Sequence, residues 1–130
     1  MENLYNPKGV AAPASRFSHC ALVAGLARML HLSGQVGIGP DGQVAKGLAA
    51  QLDQCFANID ICLLSAGMTR ANLVKLTVYV TLQGPETVAI YRARRDAWIG
   101  DNPAPAATFL IVAGLASPDL LAEVDAIAAY

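Results

Sequence analysis

The most informative ionisable residue in the sequence is Glu123, because almost all of its neighbours are apolar. It lies in the segment Leu-Leu-Ala-Glu-Val-Asp-Ala-Ile-Ala-Ala, and period-two alternation puts Asp125 on the same side of a strand. A carboxyl group in a poorly hydrated cleft has a raised pKa and can act as a general acid or base near neutrality. An edge-strand or interface ion pair is the alternative, and spacing alone leaves both interpretations open.

The histidines and cysteines do not form a metal-ligand pattern. They are His19, His31, Cys20, Cys55 and Cys62. No two of them have the spacing of a C-x-x-C or H-x-x-x-H pair, so we expect no metal, no cofactor and no disulfide framework. His19 follows Phe17 and Ser18 at a strand entry, where it is either a pocket wall or a structural histidine. Cys55 and Cys62 are predicted to be small core residues on one helical face.

Composition predicts one domain over residues 1–130 that assembles with copies of itself. The chain has 130 residues, of which 55% are hydrophobic and 15% charged, against roughly 25% charged in an ordinary soluble domain. A domain this small leaves much of its surface exposed, so surplus apolar side chains favour burial between subunits. A formal net charge of −1 gives no basic surface for nucleic acid.

No segment predicts a membrane span or a secretion signal. The longest uncharged apolar run, residues 104–118, is too short to cross a bilayer and is interrupted by polar, glycine and proline residues. The N-terminus lacks a charged region followed by an apolar one. We therefore expect a cytoplasmic protein.

Periodicity and turn residues predict an α+β fold with the order β-β-α-β-α-β-β. The strands are predicted at 17–23, 28–33, 73–82, 106–113 and 121–129. One helix is predicted at 48–66, and a second opens at 84–86 and stops near Gly100. The first two strands are predicted to form a hairpin. Two helices can cover one face of a mixed sheet, so the other face is expected to pack against other copies in a barrel-like core.

Three arginines, Arg92, Arg94 and Arg95, lie along the second predicted helix. We interpret them as a solvated face or as charge at a subunit interface.

Several segments taken together resemble the Rid family, the YjgF-type reactive intermediate deaminases formerly labelled endoribonuclease L-PSP. The matching segments are Arg16-Phe17-Ser18-His19, Leu32-Ser33-Gly34-Gln35-Val36, Gln54-x-x-x-Asn58 before Ala66-Gly67-Met68, residues 73–80, Tyr91, Pro103-Ala104 and residues 122–128. The resemblance covers essentially the whole chain. It implies a chorismate-mutase-like fold, a homotrimer and clefts between subunits.

The resemblance also implies roles for particular residues. Glu123 stands at the position of the catalytic glutamate, and Phe17 at that of an aromatic residue, usually tyrosine, that closes the pocket. Backbone N–H groups near Gly34 and Ala107 are expected to hold a polar substrate atom. Pro105 replaces the arginine that binds the substrate carboxylate in the deaminases, and proline offers neither a guanidinium nor a backbone donor.

Two functions follow as hypotheses. The first is a Rid-like hydrolase that deaminates a small enamine, imine or related C–N compound without a cofactor, with Glu123 moving the proton or positioning the water. The second is a small-molecule-binding trimer that keeps the cleft and has lost the chemistry. Another cation could take over the role of the arginine that Pro105 replaces, and we consider Arg16, Arg28 and the arginines of the second helix. Ribonuclease activity is disfavoured, since the sequence has no basic cluster with interleaved aromatic residues.

Overall fold

The computed structural model describes residues 2–9, 12–13, 15–25 and 28–130. Its strands, in chain order, are β1 Glu2–Tyr5, β2 Cys20–Val23, β3 Met29–Val36, β4 Leu73–Val80, β5 Ala106–Ile111 and β6 Ala122–Ala129. Its helices are α1 Leu48–Ser65 and α2 Pro85–Ile99, and a 3-10 turn, Arg70–Asn72, precedes β4. The α+β class is confirmed, with one strand, β1, that the sequence analysis did not predict.

The strands form two sheets. The larger has the order β3-β6-β4-β5, in which β4 and β5 are parallel and the other pairs antiparallel. The smaller is the antiparallel pair β1-β2. The predicted hairpin of residues 17–23 with 28–33 is therefore wrong, because β2 pairs with β1 and β3 pairs with β6.

The end of α1 and the start of α2 each follow from the residue types found there. At the end of α1, Gly67 has φ 69°, a conformation that costs glycine little, and its N–H donates to Leu64 O while that of Met68 donates to Leu63 O. This is the Schellman motif, which satisfies carbonyls that the helix leaves unpaired. In α2, Pro85 takes the first position, where its missing N–H removes no helical bond.

The hydrophobic core lies between the helices and one face of the larger sheet. The apolar stripe of α1 is buried as predicted, and so are the alternate residues Leu76, Val78 and Val80 of β4. Cys55 is fully buried in this core, whereas Cys62 is only partly buried and so is not the core residue that we expected.

Alternation along β4 and β6 gives the sheet a second, polar face that no helix among the described residues covers. Lys75, Thr77 and Tyr79 lie on it and are partly exposed, and Leu110 of β5 is 42% exposed there. No helix in the described part of the chain is long and apolar enough to cross a membrane.

Candidate functional site

Glu123 lies on the uncovered face of the sheet, directly against Gly34. Its side chain is half-buried on β6, where the backbone is in register with Val36 of β3. A β-bulge between Leu32 and Gln35 interrupts the pairing beside Glu123. A Cβ atom at position 34 would lie 1.9 Å from Glu123 Oε2, so only glycine leaves room for the carboxylate where it stands. The structure therefore brings together two of the residues that we singled out.

Tyr79 and Asp125 are ionisable groups that lie next to Glu123 on this face. Tyr79 is in register with Glu123, and its hydroxyl donates a hydrogen bond of 2.9 Å to Asp125 Oδ2. That bond raises the pKa of Tyr79, and the negative charges of Asp125 and Glu123 add to the effect. In the described part of the chain, the Glu123 carboxylate accepts no hydrogen bond, so its oxygens are free to accept one from water or a ligand.

The end of β3, next to the bulge, is fixed by the Gln54-x-x-x-Asn58 motif of α1. Gln54 Nε2 donates to Asn58 Oδ1 at 2.9 Å, and Asn58 Nδ2 donates to the carbonyls of Val36 and Ile38 at 3.2 Å each. The motif is four residues apart, so both amides lie on one helical face. It fixes the backbone that continues from Gly34.

Phe17 and Ala107 line a different pocket, between β5 and α2. The Ser18 N–H donates to Pro105 O at 3.1 Å and the Ser18 hydroxyl to Ala104 O at 2.7 Å, which places the chain around residue 18 beside the start of β5. The result is a cavity of about 260 Å³. It is lined by Ser15, Phe17, Val88, Tyr91, Arg92, Arg95, Ala107 and Phe109.

His19 packs beside this pocket without lining it. Its ring meets the ring of Phe17 edge to face, with centroids 5.2 Å apart, and its backbone N–H donates to Asn6 Oδ1 at 2.8 Å. The contact with Phe17 orients an aromatic ring that does line the cavity.

The expected site residues lie on two faces of one sheet. Ala107 is in register with Leu76, which is buried in the core, whereas Glu123 is in register with Tyr79 on the uncovered face. Residues in register share a face, so Phe17 and Ala107 are separated from Glu123 and Gly34 within one chain. A site that used both groups would need atoms from more than one copy.

Arg16 and Arg28, which we considered as substitutes for the arginine that Pro105 replaces, make other contacts. Arg16 donates to the carbonyls of Asp96, Gly100 and Asn102, and Arg28 donates to the carbonyl of Ala66. Both side chains hold backbone at the ends of helices.

Two arginines of α2, Arg92 and Arg95, line the cavity. Of the two interpretations that we gave for these arginines, a solvated face is wrong for Arg95. It is only 2% exposed, its guanidinium lies 5.1 Å from the centroid of the Tyr91 ring, and its Nε donates to Asp96 Oδ1 at 3.0 Å. Arg92 and Arg94 are exposed, as expected. The sequence holds a signal for this burial that we did not use: Arg95 follows Thr87 and Tyr91, both buried, at four-residue intervals.

No three His, Cys, Asp or Glu side chains within the described ranges are grouped as a metal ion would require.

Comparisons with known proteins identify the relatives of this chain. A family model described as Endoribonuclease L-PSP matches residues 9–130. A RutC family protein from Aquifex aeolicus (strain VF5) is 38% identical over 82 residues, which are 62% of this chain and 62% of that protein. The match thus spans less than two thirds of the length of this curated relative.

Solved structures extend the similarity to nearly the whole chain. YyfB from Yersinia pestis, a protein of unknown function in the conserved Rid protein family, matches with a TM-score of 0.91 at 32% identity. That match covers 99% of this chain and 98% of YyfB. E. coli TdcF with bound serine matches with a TM-score of 0.73 at 22% identity, covering 94% and 91%, which shows a shared fold.

Proposed function

This chain belongs to the Endoribonuclease L-PSP family, also called the Rid family, and on that premise we propose that it hydrolyses a small imine or enamine. We propose further that it is a single domain that acts as a homotrimer in the cytoplasm. The free thiols of Cys55 and Cys62 agree with a reducing compartment. The binding of serine by TdcF supports a small molecule as the ligand.

The observation that carries the proposal is the placement of Glu123 against Gly34. The carboxylate is half-buried and lies beside a β-bulge, where the absence of a side chain on Gly34 leaves the room that the carboxylate occupies. β-bulges re-aim side chains and are frequent next to active sites. A positioned carboxylate of this kind suits proton transfer to and from water.

The proposed chemistry is the addition of water to a C=N bond. The imine nitrogen first takes up a proton from solvent, and Glu123 then accepts a proton from the water as the water oxygen attacks the iminium carbon. Glu123 passes that proton to the nitrogen of the resulting carbinolamine, ammonia leaves as the C=O bond forms, and the hydroxyl proton returns to solvent through Glu123. One imine and one water thus give one carbonyl and one ammonia; an enamine enters the same route after protonation at carbon.

An assay of ammonia release from a panel of imines and enamines tests the proposal. The wild type is compared with Glu123→Gln, which keeps the shape of the side chain and removes its charge, and with Glu86→Gln, a matched change at an exposed glutamate on α2. Glu123→Gln should lower kcat by about 10²–10⁴-fold, the usual contribution of general acid–base catalysis, and Glu86→Gln should not. Equal activity of all three proteins would remove Glu123 from the mechanism.

The second candidate is a trimer that binds small molecules without turning them over. Pro105 favours it, because a proline whose carbonyl is bound by the Ser18 N–H stands where the deaminases carry their carboxylate-binding arginine. Thermal-shift screening distinguishes the two functions. Metabolites that stabilise the protein and are recovered unchanged support the binder, and turnover of any one of them refutes it.

A further inference from the structure

We infer that the cavity between α2 and β5 binds the carboxylate group of a small ligand, with Arg95 as its anion-binding residue and Tyr91 as a second donor.

Two buried polar atoms of residues that line this cavity have no hydrogen-bond partner among the described residues. They are Nη2 of Arg95 and the hydroxyl oxygen of Tyr91. Arg95 is 2% exposed and Tyr91 is 3% exposed, so neither side chain is solvated. Buried polar groups are almost always paired, and an unpaired one in a native protein calls for an explanation such as a binding site.

Asp96 leaves most of the Arg95 guanidinium unused. Its Oδ1 lies 3.0 Å from both Nε and Nη2, but hydrogen-bond geometry is met only at Nε. A guanidinium carries five N–H donors in a planar fork, which matches the two oxygens of a carboxylate. No other acidic side chain in the described part of the chain pairs with Arg95.

Tyr91 adds a neutral donor beside this charge. Burial raises the pKa of Tyr91 more than the neighbouring Arg95 lowers it, so the hydroxyl keeps its proton near neutral pH. The Arg95 guanidinium lowers this pKa through its charge and a weak hydrogen-bond interaction with the Tyr91 hydroxyl, but no hydrogen bond of full geometry joins the two groups. Their donors can therefore converge on one acceptor group.

The charges around the cavity select a monoanion. Arg92 and Arg95 line it, and Asp96, whose carboxylate is partly exposed, neutralises part of that charge. Most of the remaining wall is apolar or aromatic, since it includes Phe17, Val88, Ala107 and Phe109, and Ser15 adds one small polar side chain. A ligand with one carboxylate and a compact apolar or aromatic body fits both the charge and the lining.

In this site Arg95 of α2 supplies a positive charge, in place of the arginine that Pro105 replaces. The binding inference depends on the cavity alone, whereas the identification of the bound carboxylate as the substrate's own depends on the proposed hydrolase function. Because Glu123 lies on the opposite face of the sheet, binding and catalysis can be tested by different variants.

The experiment measures binding of benzoate and isobutyrate by NMR titration or calorimetry, with benzamide, isobutyramide and inorganic phosphate as comparison probes. At least one carboxylate should bind the wild type at least tenfold more tightly than its amide. Arg95→Met should weaken that binding at least tenfold, and Tyr91→Phe by about threefold to tenfold. Arg94→Gln, at an exposed arginine paired with Asp53, is the matched control and should bind as the wild type does.

Tyr91→Phe keeps the ring that stacks on Phe109 at 4.8 Å and removes one oxygen, so it carries the test if Arg95→Met does not fold. Glu123→Gln should bind the probes normally even if it abolishes turnover, which separates this inference from the proposed reaction. The inference is overturned if no carboxylate binds at millimolar concentration, if the amides bind as tightly, if phosphate binds more tightly than both carboxylates, or if Tyr91→Phe leaves binding unchanged.

Discussion

The substitution Gly34→Ala isolates the position of the Glu123 carboxylate from the stability of the fold. Gly34 does not use the left-handed backbone region, so alanine meets no backbone strain there. Its Cβ would lie 1.9 Å from Glu123 Oε2, and the oxygen must move by about 1.5 Å to reach ordinary van der Waals separation. A displacement of about 1 Å in a reacting group can cost about 10²-fold in rate, so we expect kcat to fall about 10²-fold.

The same change should leave the stability nearly unaltered. Moving Glu123 away from its preferred rotamer costs about 0.5–1.5 kcal/mol, and replacing glycine by alanine at a compatible position recovers about 0.4–1 kcal/mol. The net effect is within about 1 kcal/mol, which is about 4 °C in Tm for a chain of this length.

Ammonia release and thermal unfolding of the same preparations measure both quantities. A Gly34→Ala protein with wild-type kcat and wild-type Tm would show that the carboxylate need not stand where the structure has it, and the catalytic argument would fail. A protein that loses more than about 10 °C would refute the separation of site from fold.

Two further outcomes follow from buried positions. Gly37→Ala places a Cβ 2.6 Å from Gln51 Cβ and 2.9 Å from Gln51 Cα, where the backbone of α1 cannot yield. The free energy of unfolding should therefore fall by about 1–3 kcal/mol, which urea titration measures. An unchanged urea midpoint would contradict this close packing. Burial raises the pKa of the Cys55 thiol from 9.0 to about 12, so in a Cys20→Ala background a thiol reagent at pH 8 should modify one cysteine per native chain, Cys62, and two per unfolded chain. Labelling of two cysteines in the native protein at pH 8 would contradict the burial of Cys55. Because folding raises the pKa of this thiol, its contribution to stability is complete below pH 9 and is lost as the pH rises toward 12.

The sequence was sufficient to predict the elements whose ends carry their own chemical signals. Gly67 and Pro85 mark helix termini through backbone conformation, and the alternation of β4 separates a buried from a polar face. β1 was missed because four residues without a clear alternation give no strand signal. The hairpin was wrong because local turn residues do not determine which strand becomes the partner, and β2 and β3 belong to different sheets.

The candidate site was predictable only where one residue stands out from its neighbours. Glu123 did so in an apolar strand. Arg95 did not, because a cluster of arginines on an amphipathic helix indicates a solvated face unless each residue is compared with the buried positions four before it. Such a comparison pairs Arg95 with Tyr91 and separates it from Arg92 and Arg94, which are exposed.

The position of Glu123 on the uncovered face of the sheet gives a physical reason for this chain to assemble with copies of itself. The Glu123 carboxylate is only half-buried in one chain, because no helix among the described residues covers its face of the sheet. Leu110, exposed on the same face, gives that surface apolar area, and the donors of Arg95 lie across the sheet. A neighbouring copy seated on the uncovered face would remove water from Glu123, and its own α2 cavity could place a bound carboxylate nearby. In this arrangement the proton-transfer group and the anion anchor of each site come from different chains, so dissociation of the assembly would abolish turnover while leaving carboxylate binding in every separated subunit.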